Sequence, residues 1–311
     1  MILAEVVRSG FTECVHEGSV VVLDAAGAVV AEAGDVTGPV FPRSANKPLQ
    51  TVGMLRSGLR TGEPADLALI SGSHYGERFH VERVRRILDT AGLTEDVLRC
   101  VESLPLLDSE RDLILREGGG PSRILMNCSG KHAGMLATCV QAGWPLDDYR
   151  DAKHPLQLAI AETVEELVGE PIAVTGIDGC GAPVFAFSLT ALARGFQRLV
   201  AGPPPSYERL VADTMRADPE LVAGTGAEDT VLMRGVPGLL AKGGAEGVVA
   251  VAIPGVGAVA LKIADGAMRA RMPVLVSGLR KLGVEAAVLD ELAVVPVLGG
   301  GVRVGEVRSV W

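Results

Sequence analysis

Residues 241–263 read Ala-Lys-Gly-Gly-Ala-Glu-Gly-Val-Val-Ala-Val-Ala-Ile-Pro-Gly-Val-Gly-Ala-Val-Ala-Leu-Lys-Ile. Two apolar runs, 248–253 and 256–263, flank the turn dipeptide Pro254-Gly255, and each is short for a helix. The pattern is that of a buried antiparallel hairpin. Comparable Val- and Ala-rich segments open the chain at 2–8, 18–23 and 28–33, with Ala25-Ala26-Gly27 turning between the last two, and a closing strand fits 301–309. Between these ends the periodicity becomes helical. A helix is predicted over 45–57, and another over 80–91 that places Val81, Val84, Ile87 and Leu88 on one face. Further helices are predicted at 129–142, 155–168, 184–195 and 205–216. Strands at both ends with helices between them predict an α+β fold whose terminal strands pair in one antiparallel sheet. The sequence reads as a single domain over 1–311, with a candidate sub-boundary at Pro203-Pro204-Pro205 near 203–205.

The 311 residues are 48% hydrophobic and 22% charged, enough apolar material for a substantial core and incompatible with disorder. A formal charge of −9 argues against nucleic acid as a partner. No apolar run approaches the roughly 18 residues of a membrane span, and the start, Met-Ile-Leu-Ala-Glu-Val-Val-Arg, lacks the basic-then-apolar order of a secretory leader. A cytoplasmic protein without membrane contact is expected. Five scattered cysteines suggest free thiols or a metal site before disulfides. Only six of the 29 basic residues are lysines. Lysine is thus the marked choice, and unlike arginine its amine can be driven neutral and used as a base.

Three of those lysines sit in unusual contexts. In Arg43-Ser44-Ala45-Asn46-Lys47-Pro48, a Ser44 that capped the following helix would have Lys47 three residues on, within reach of its hydroxyl. A capping serine beside a solvated lysine is the plain alternative. Ser71-Gly72-Ser73-His74-Tyr75-Gly76-Glu77 follows an apolar segment and offers two hydroxyls on backbone that a ligand could approach closely. Asn127-Cys128-Ser129-Gly130-Lys131-His132 and Asp178-Gly179-Cys180-Gly181 each set a cysteine among polar and glycine residues. Cys128, Lys131, His132 and Cys180 together could hold Zn²⁺, two thiolates with nitrogen donors suiting that ion, but the spacing is not that of a zinc finger and two buried free thiols are the plain alternative. Finally, Lys242-Gly243-Gly244 enters the 248–263 hairpin as the Lys-x-Gly element does in serine β-lactamases and penicillin-binding enzymes, where Ser-x-x-Lys supplies the nucleophile and a serine loop the second element. All three elements occur in that order.

Taken together, Arg-Ser-Ala-Asn-Lys-Pro-Leu-Gln (43–50), Ser-His-x-Gly-Glu (73–77), Asn-Cys-Ser-Gly-Lys-His-Ala-Gly-Met-Leu (127–136), Asp-Gly-Cys-Gly-Ala-Pro (178–183) and Lys-Gly-Gly-Ala-Glu-Gly (242–247) resemble the L-asparaginase II family, the serine–lysine class of asparaginases. The resemblance spans roughly 5–266. It implies a β-lactamase-like fold, an antiparallel sheet flanked by helices with an inserted, mainly helical part, and hydrolysis of L-asparagine to L-aspartate and ammonia. It further implies two tandems, Ser44 with Lys47 and Ser73 with Lys242, and a metal held by Cys128, Lys131 and Cys180. Two departures stand out. Tyr75 replaces a small residue, and Ala227-Glu228 stand where the family commonly has Arg-Phe, losing a cation and gaining an anion.

The expected chemistry is an acyl-enzyme on Ser44 with Lys47 as base. Arg43 is the expected fork for the substrate's α-carboxylate, and Asp178 or Glu246 the counter-charge for its ammonium, with His74 in the same binding set. A homodimer is a candidate assembly. The rival readings are a β-lactamase-like esterase or peptidase, and a non-catalytic amino-acid-binding protein.

Overall fold

The computed structural model describes residues 1–311. The strands are β1 (Ile2–Arg8), β2 (Phe11–Asp24), β3 (Val29–Ala33), β4 (Pro39–Val40), β5 (Val174–Ile177), β6 (Pro183–Ser188), β7 (Leu240–Gly244), β8 (Val248–Ile253), β9 (Gly257–Ile263), β10 (Val294–Gly299) and β11 (Val302–Ser309). The helices are α1 (Lys47–Arg56), α2 (Ala65–Ile70), α3 (Arg78–Thr90), α4 (Asp108–Arg116), α5 (Ser129–Ala142), α6 (Pro155–Val168), α7 (Leu189–Ala201), α8 (Tyr207–Ala217), α9 (Pro219–Val222), α10 (Glu228–Gly235), α11 (Arg271–Lys281) and α12 (Ala287–Leu292).

The expected hairpin is β8–β9, with Val251 opposite Val259. The two termini meet as expected, β1 running antiparallel to β11 with Val6 opposite Val307. The main sheet is ordered β10-β11-β1-β2-β9-β8-β7, with β3 also paired to β2. Helix α7 packs on β2, β8 and β9, while α11 packs on β2, β9 and β11. Every residue of β8 is buried, and because successive side chains point to opposite faces, both faces of the sheet are covered there. Burying that apolar surface is the main stabilising term of the sheet. The mainly helical part lies between β4 and β7, together with a small sheet ordered β4-β6-β5. The result is the expected α+β arrangement. No helix is long and apolar enough to cross a membrane.

One predicted helix is corrected. Residues 184–195 divide into β6, buried at all six positions, and α7, which starts after Ser188. A short apolar run carries the same signal for a buried strand as for a buried helix, and the boundary lies where the Ser188 hydroxyl accepts from the Ala191 amide.

Two features of this frame position the site. Strand β7 is the outer edge of the main sheet, so one side of its backbone is free to face another segment. Helix α1 is buried from Lys47 to Leu55, Lys47 and Gln50 included. A lysine enclosed in such a helix must have its nitrogen met by specific partners.

Candidate active site

The backbone of β7 is gripped from both sides. A Cβ on Gly243 would stand 2.5 Å from an Arg271 Nη1 and 3.0 Å from Asp229 Oδ1, and one on Gly244 would stand 2.6 Å from the Pro42 carbonyl and 3.2 Å from the Ala45 nitrogen. Adjacent residues of a strand face opposite ways. Asp229 and Arg271 therefore flank one side of the strand, and the 42–45 segment the other. Ser44 belongs to that segment, inside a 3₁₀ turn over Arg43–Asn46. It does not cap α1, contrary to expectation: the capping position is Asn46, in helical conformation and with no capping bond from its side chain. The backbone winds from the 3₁₀ turn directly into the helix, leaving no extended residue from which a serine could reach back. Lys47, the first residue of α1, is 1% exposed.

The lysines and serines are joined in a different pairing from the expected one. Lys47 Nζ donates to Ser73 Oγ at 2.9 Å and to the carbonyl of Gly72. Lys242 Nζ donates to the Gly243 carbonyl at 2.7 Å and to Asp229 Oδ2 at 3.3 Å. So Ser73 is hydrogen-bonded to the lysine of the first tandem, and Lys242 to a carboxylate. Gly72 makes the first contact possible by its lack of a side chain, since a Cβ there would meet the Val222 carbonyl at 2.7 Å. Ser44, Ser73 and Lys242 line a single cleft of about 530 Å³.

Burial pushes the Lys242 ammonium down to about 8, with the positive charges of Lys47 and Arg271 adding to the effect and the Asp229 carboxylate opposing it. Burial would raise the Asp229 carboxyl, but Lys242, Arg271 and the Gly243 amide outweigh it and hold the group below its ordinary value.

Arg43, Asp178 and Glu246 are brought together, as one ionic network. Arg43 Nε donates to Asp178 Oδ1 at 2.8 Å, and Arg43 Nη1 lies 3.7 Å from Glu246 Oε1. Arg43 and Glu246 have φ of +49° and +61°, two of the three non-glycine residues in the left-handed region. Backbone strain of this kind concentrates at functional sites. His74 is a correction. It is fully buried, its Nε2 2.9 Å from Ser129 Oγ and its ring stacked on His80 at 5.0 Å. Burial, then His80 and Lys47, hold its imidazole well below the ordinary value. It supports the 71–77 loop from behind and does not face the cleft.

Asn127, Asp229 and Arg271 also line the cleft and were not singled out from the sequence. Asn127 stood inside one of the family-like motifs and Asp229 beside the Ala227-Glu228 departure. Arg271 carried no local signal, because its position depends on how α11 docks against the main sheet.

The predicted thiol cluster is assembled. Cys128 precedes α5, Lys131 follows on its first turn, and Lys131 Nζ donates to Cys180 Sγ at 3.3 Å. A hydrogen bond from Cys128 pulls the Cys180 thiol well down, helped by Lys131, and pushes the Cys128 thiol well up. Burial opposes the charge on Lys131, but the two sulfurs and Asp178 outweigh it and raise its pKa. All five cysteines are free. No group of three or more His, Cys, Asp or Glu side chains is arranged to hold a metal, so an ion here would need the Lys131 amine. His132 stands beside this cluster with its Nδ1 2.6 Å from the Tyr149 hydroxyl and its other side toward Cys180.

Residues 4–309 match the model of one protein family, described as L-asparaginase II. No curated protein matches the sequence significantly. Among solved structures, a β-lactamase from Mycobacterium bovis matches with 15% identity over 85% of this protein and 94% of its own length, at a TM-score of 0.43. A candidate β-lactamase from Bacteroides dorei matches with 14% identity over 85% and 92%, at 0.49. A mutant simvastatin synthase from Aspergillus terreus matches with 13% identity over 88% and 92%, at 0.45. Likenesses at this level bear on neither activity nor substrate.

The grip on β7 is directly testable. Gly244→Ala should destabilise the protein by about 1–3 kcal/mol in urea unfolding, the range for an overpacked position. A stability equal to wild type would show that the Ser44 turn is not seated against the strand.

Proposed function

The chain belongs to the L-asparaginase II family, matched across residues 4–309, and from that premise we propose that it hydrolyses L-asparagine to L-aspartate and ammonia through an acyl-enzyme on Ser44. The observation that carries this reading is the environment of Lys47. A neutral amine has two N–H donors and one lone pair. In the proposed role Lys47 uses those two N–H donors on the Gly72 carbonyl and Ser73 Oγ and keeps its lone pair for the proton of Ser44, three residues earlier in the chain. Ser44 Oγ attacks the amide carbonyl of the substrate as Lys47 takes its proton, and the same amine returns that proton to the departing ammonia. Water, activated in the same way, releases aspartate. Ser73, hydrogen-bonded to Lys47, extends the proton path, Lys242 is a second amine on the same cleft, and backbone amides beside Ser44 stabilise the oxyanion.

The thiol cluster fits a metal by its donor chemistry. Cys128, Cys180 and Lys131 converge and the Cys180 thiol is pulled down toward the thiolate, while an ion would have to displace the protons of Cys128 and Lys131, both held more tightly than usual. Zn²⁺ is the proposed ion. It would supply positive charge that holds both sulfurs as thiolates and fixes this part of the structure, while the serines and lysines carry the chemistry. About one Zn²⁺ per molecule should be found in protein purified without chelator, and lost in Cys128→Ser and Cys180→Ser. Equal metal content in the wild type and both variants would remove the site.

Ser44→Ala should abolish ammonia release from L-asparagine, and Lys47→Arg should be as damaging as Lys47→Ala, because arginine keeps the charge but cannot accept a proton. Near-normal turnover by Lys47→Arg would exclude lysine as the base.

Lys242 gives a pH signature. If it works as a neutral amine, the rate rises as pH increases through about 8, where its proton is lost, and levels off above. The Asp229 carboxylate opposes that loss, so Asp229→Asn should move the midpoint to lower pH. A midpoint that stays in place or moves upward would contradict the assignment.

A further inference from the structure

The charged groups of the cleft differ in how far a ligand can reach them. The side chains of Lys242 and Arg271 are 2% and 7% exposed, whereas those of Glu228 and Glu246 are 39% and 61% exposed. Each cation is also occupied. Lys242 donates to Asp229. Arg271 donates through Nη1 to the Gly244 and Val248 carbonyls and through Nη2 to Glu228, which covers it on the cleft side. Arg43, 25% exposed, stands outside the cleft lining, with Nε on Asp178 and Nη1 3.7 Å from Glu246. What the open cleft offers is therefore two carboxylates. With Glu228, Asp229 and Glu246 against Lys242 and Arg271, the lining carries one net negative charge, and more once Lys242 is neutral.

Free asparagine is a zwitterion. Its α-ammonium finds Glu228 or Glu246, but its α-carboxylate finds both cations of the lining, Lys242 and Arg271, buried and engaged, and meets like charge, which costs binding energy. The volume points the same way. A cleft of about 530 Å³ is of the size that holds ligands much larger than a nine-heavy-atom amino acid. Tyr75, Leu106 and Met268 add apolar surface to it, suited to a substrate that continues beyond the α-carbon. Both sequence departures, Tyr75 and Glu228, fall in this one wall.

We propose that the preferred substrates keep a free α-ammonium but have the α-carboxyl blocked as an amide, as in asparagine at the N-terminus of a short peptide. The inference rests on the amidohydrolase reading above and names its substrate class. Water adds across the C–N bond of the asparagine carboxamide, ammonia leaves, and an N-terminal aspartyl product remains, with no other reactant consumed.

The test measures ammonia release from three compounds: L-asparagine, its α-N-methylamide, and the N-acetylated α-N-methylamide. The wild type should favour the α-N-methylamide over L-asparagine by at least about tenfold in kcat/KM, and added salt should narrow the ratio as it screens the glutamates. The N-acetyl compound, lacking the ammonium, should be poor. Glu228→Gln removes one carboxylate and uncovers Arg271, so it should lower KM for L-asparagine and shrink the ratio about tenfold. A wild type that prefers L-asparagine, or a ratio unchanged in Glu228→Gln, overturns the inference and leaves the amidohydrolase reading in place. No ammonia from any of the three overturns both.

Discussion

The contacts of one buried amine hold the cleft together. Lys47 Nζ, at the start of α1, reaches the Gly72 carbonyl and the Ser73 hydroxyl and so joins the Ser44 turn to the 71–77 loop. An amine enclosed this deeply is costly unless its hydrogen-bonding directions are met. That requirement fixes the loop geometry. Gly72 must lack a side chain, Ser73 must present oxygen, and the Ser73 amide is anchored in turn to the Val222 carbonyl at 2.7 Å. The same segment is braced by His74, whose amide donates to the Asn127 carbonyl at 3.0 Å, so the residue leading into the thiol cluster is fixed by the loop that carries Ser73.

The second constraint is the edge of the sheet. An edge strand with open backbone is a liability in most proteins, and here the Asp229 carboxylate accepts from the Gly243 amide at 2.8 Å while the 3₁₀ turn lies against one face of the strand. Gly243 and Gly244 permit that approach, and the sheet's rigidity is passed on to Ser44 on one side and to the Asp229–Lys242 pair on the other. A site built on such supports is preorganised: its groups need not be gathered when substrate arrives. The left-handed backbone of Arg43 and Glu246, which face each other across their ion pair, is compatible with this, since the surrounding contacts hold both in place.

Much of the fold could be read from the sequence where one physical signal dominated. The 248–263 hairpin, the meeting of the terminal strands and the helices at 129–142 and 155–168 follow from periodicity and turn chemistry. The 184–195 segment misled because apolar character alone does not separate a buried strand from a helix. The residues of the cleft were legible as motifs, but their pairing was not. Spacing suggests Ser44 with Lys47, whereas the hydrogen bond depends on which loop packs over α1, and that loop brings Ser73. His74 looked like a binding residue because its neighbours are, while burial decides its role. Arg271 could not be found locally at all. Its part in the cleft comes from the docking of a helix far along the sequence, which leaves no mark in the residues around it.

The central claim is a covalent intermediate on Ser44. Its most direct test is rapid acid quenching during turnover of L-asparagine, followed by mass spectrometry of the proteolysed protein. The account predicts an aspartyl adduct on the peptide that contains Ser44, absent in Ser44→Ala. An adduct on Ser73 instead, with turnover retained in Ser44→Ala, would contradict it.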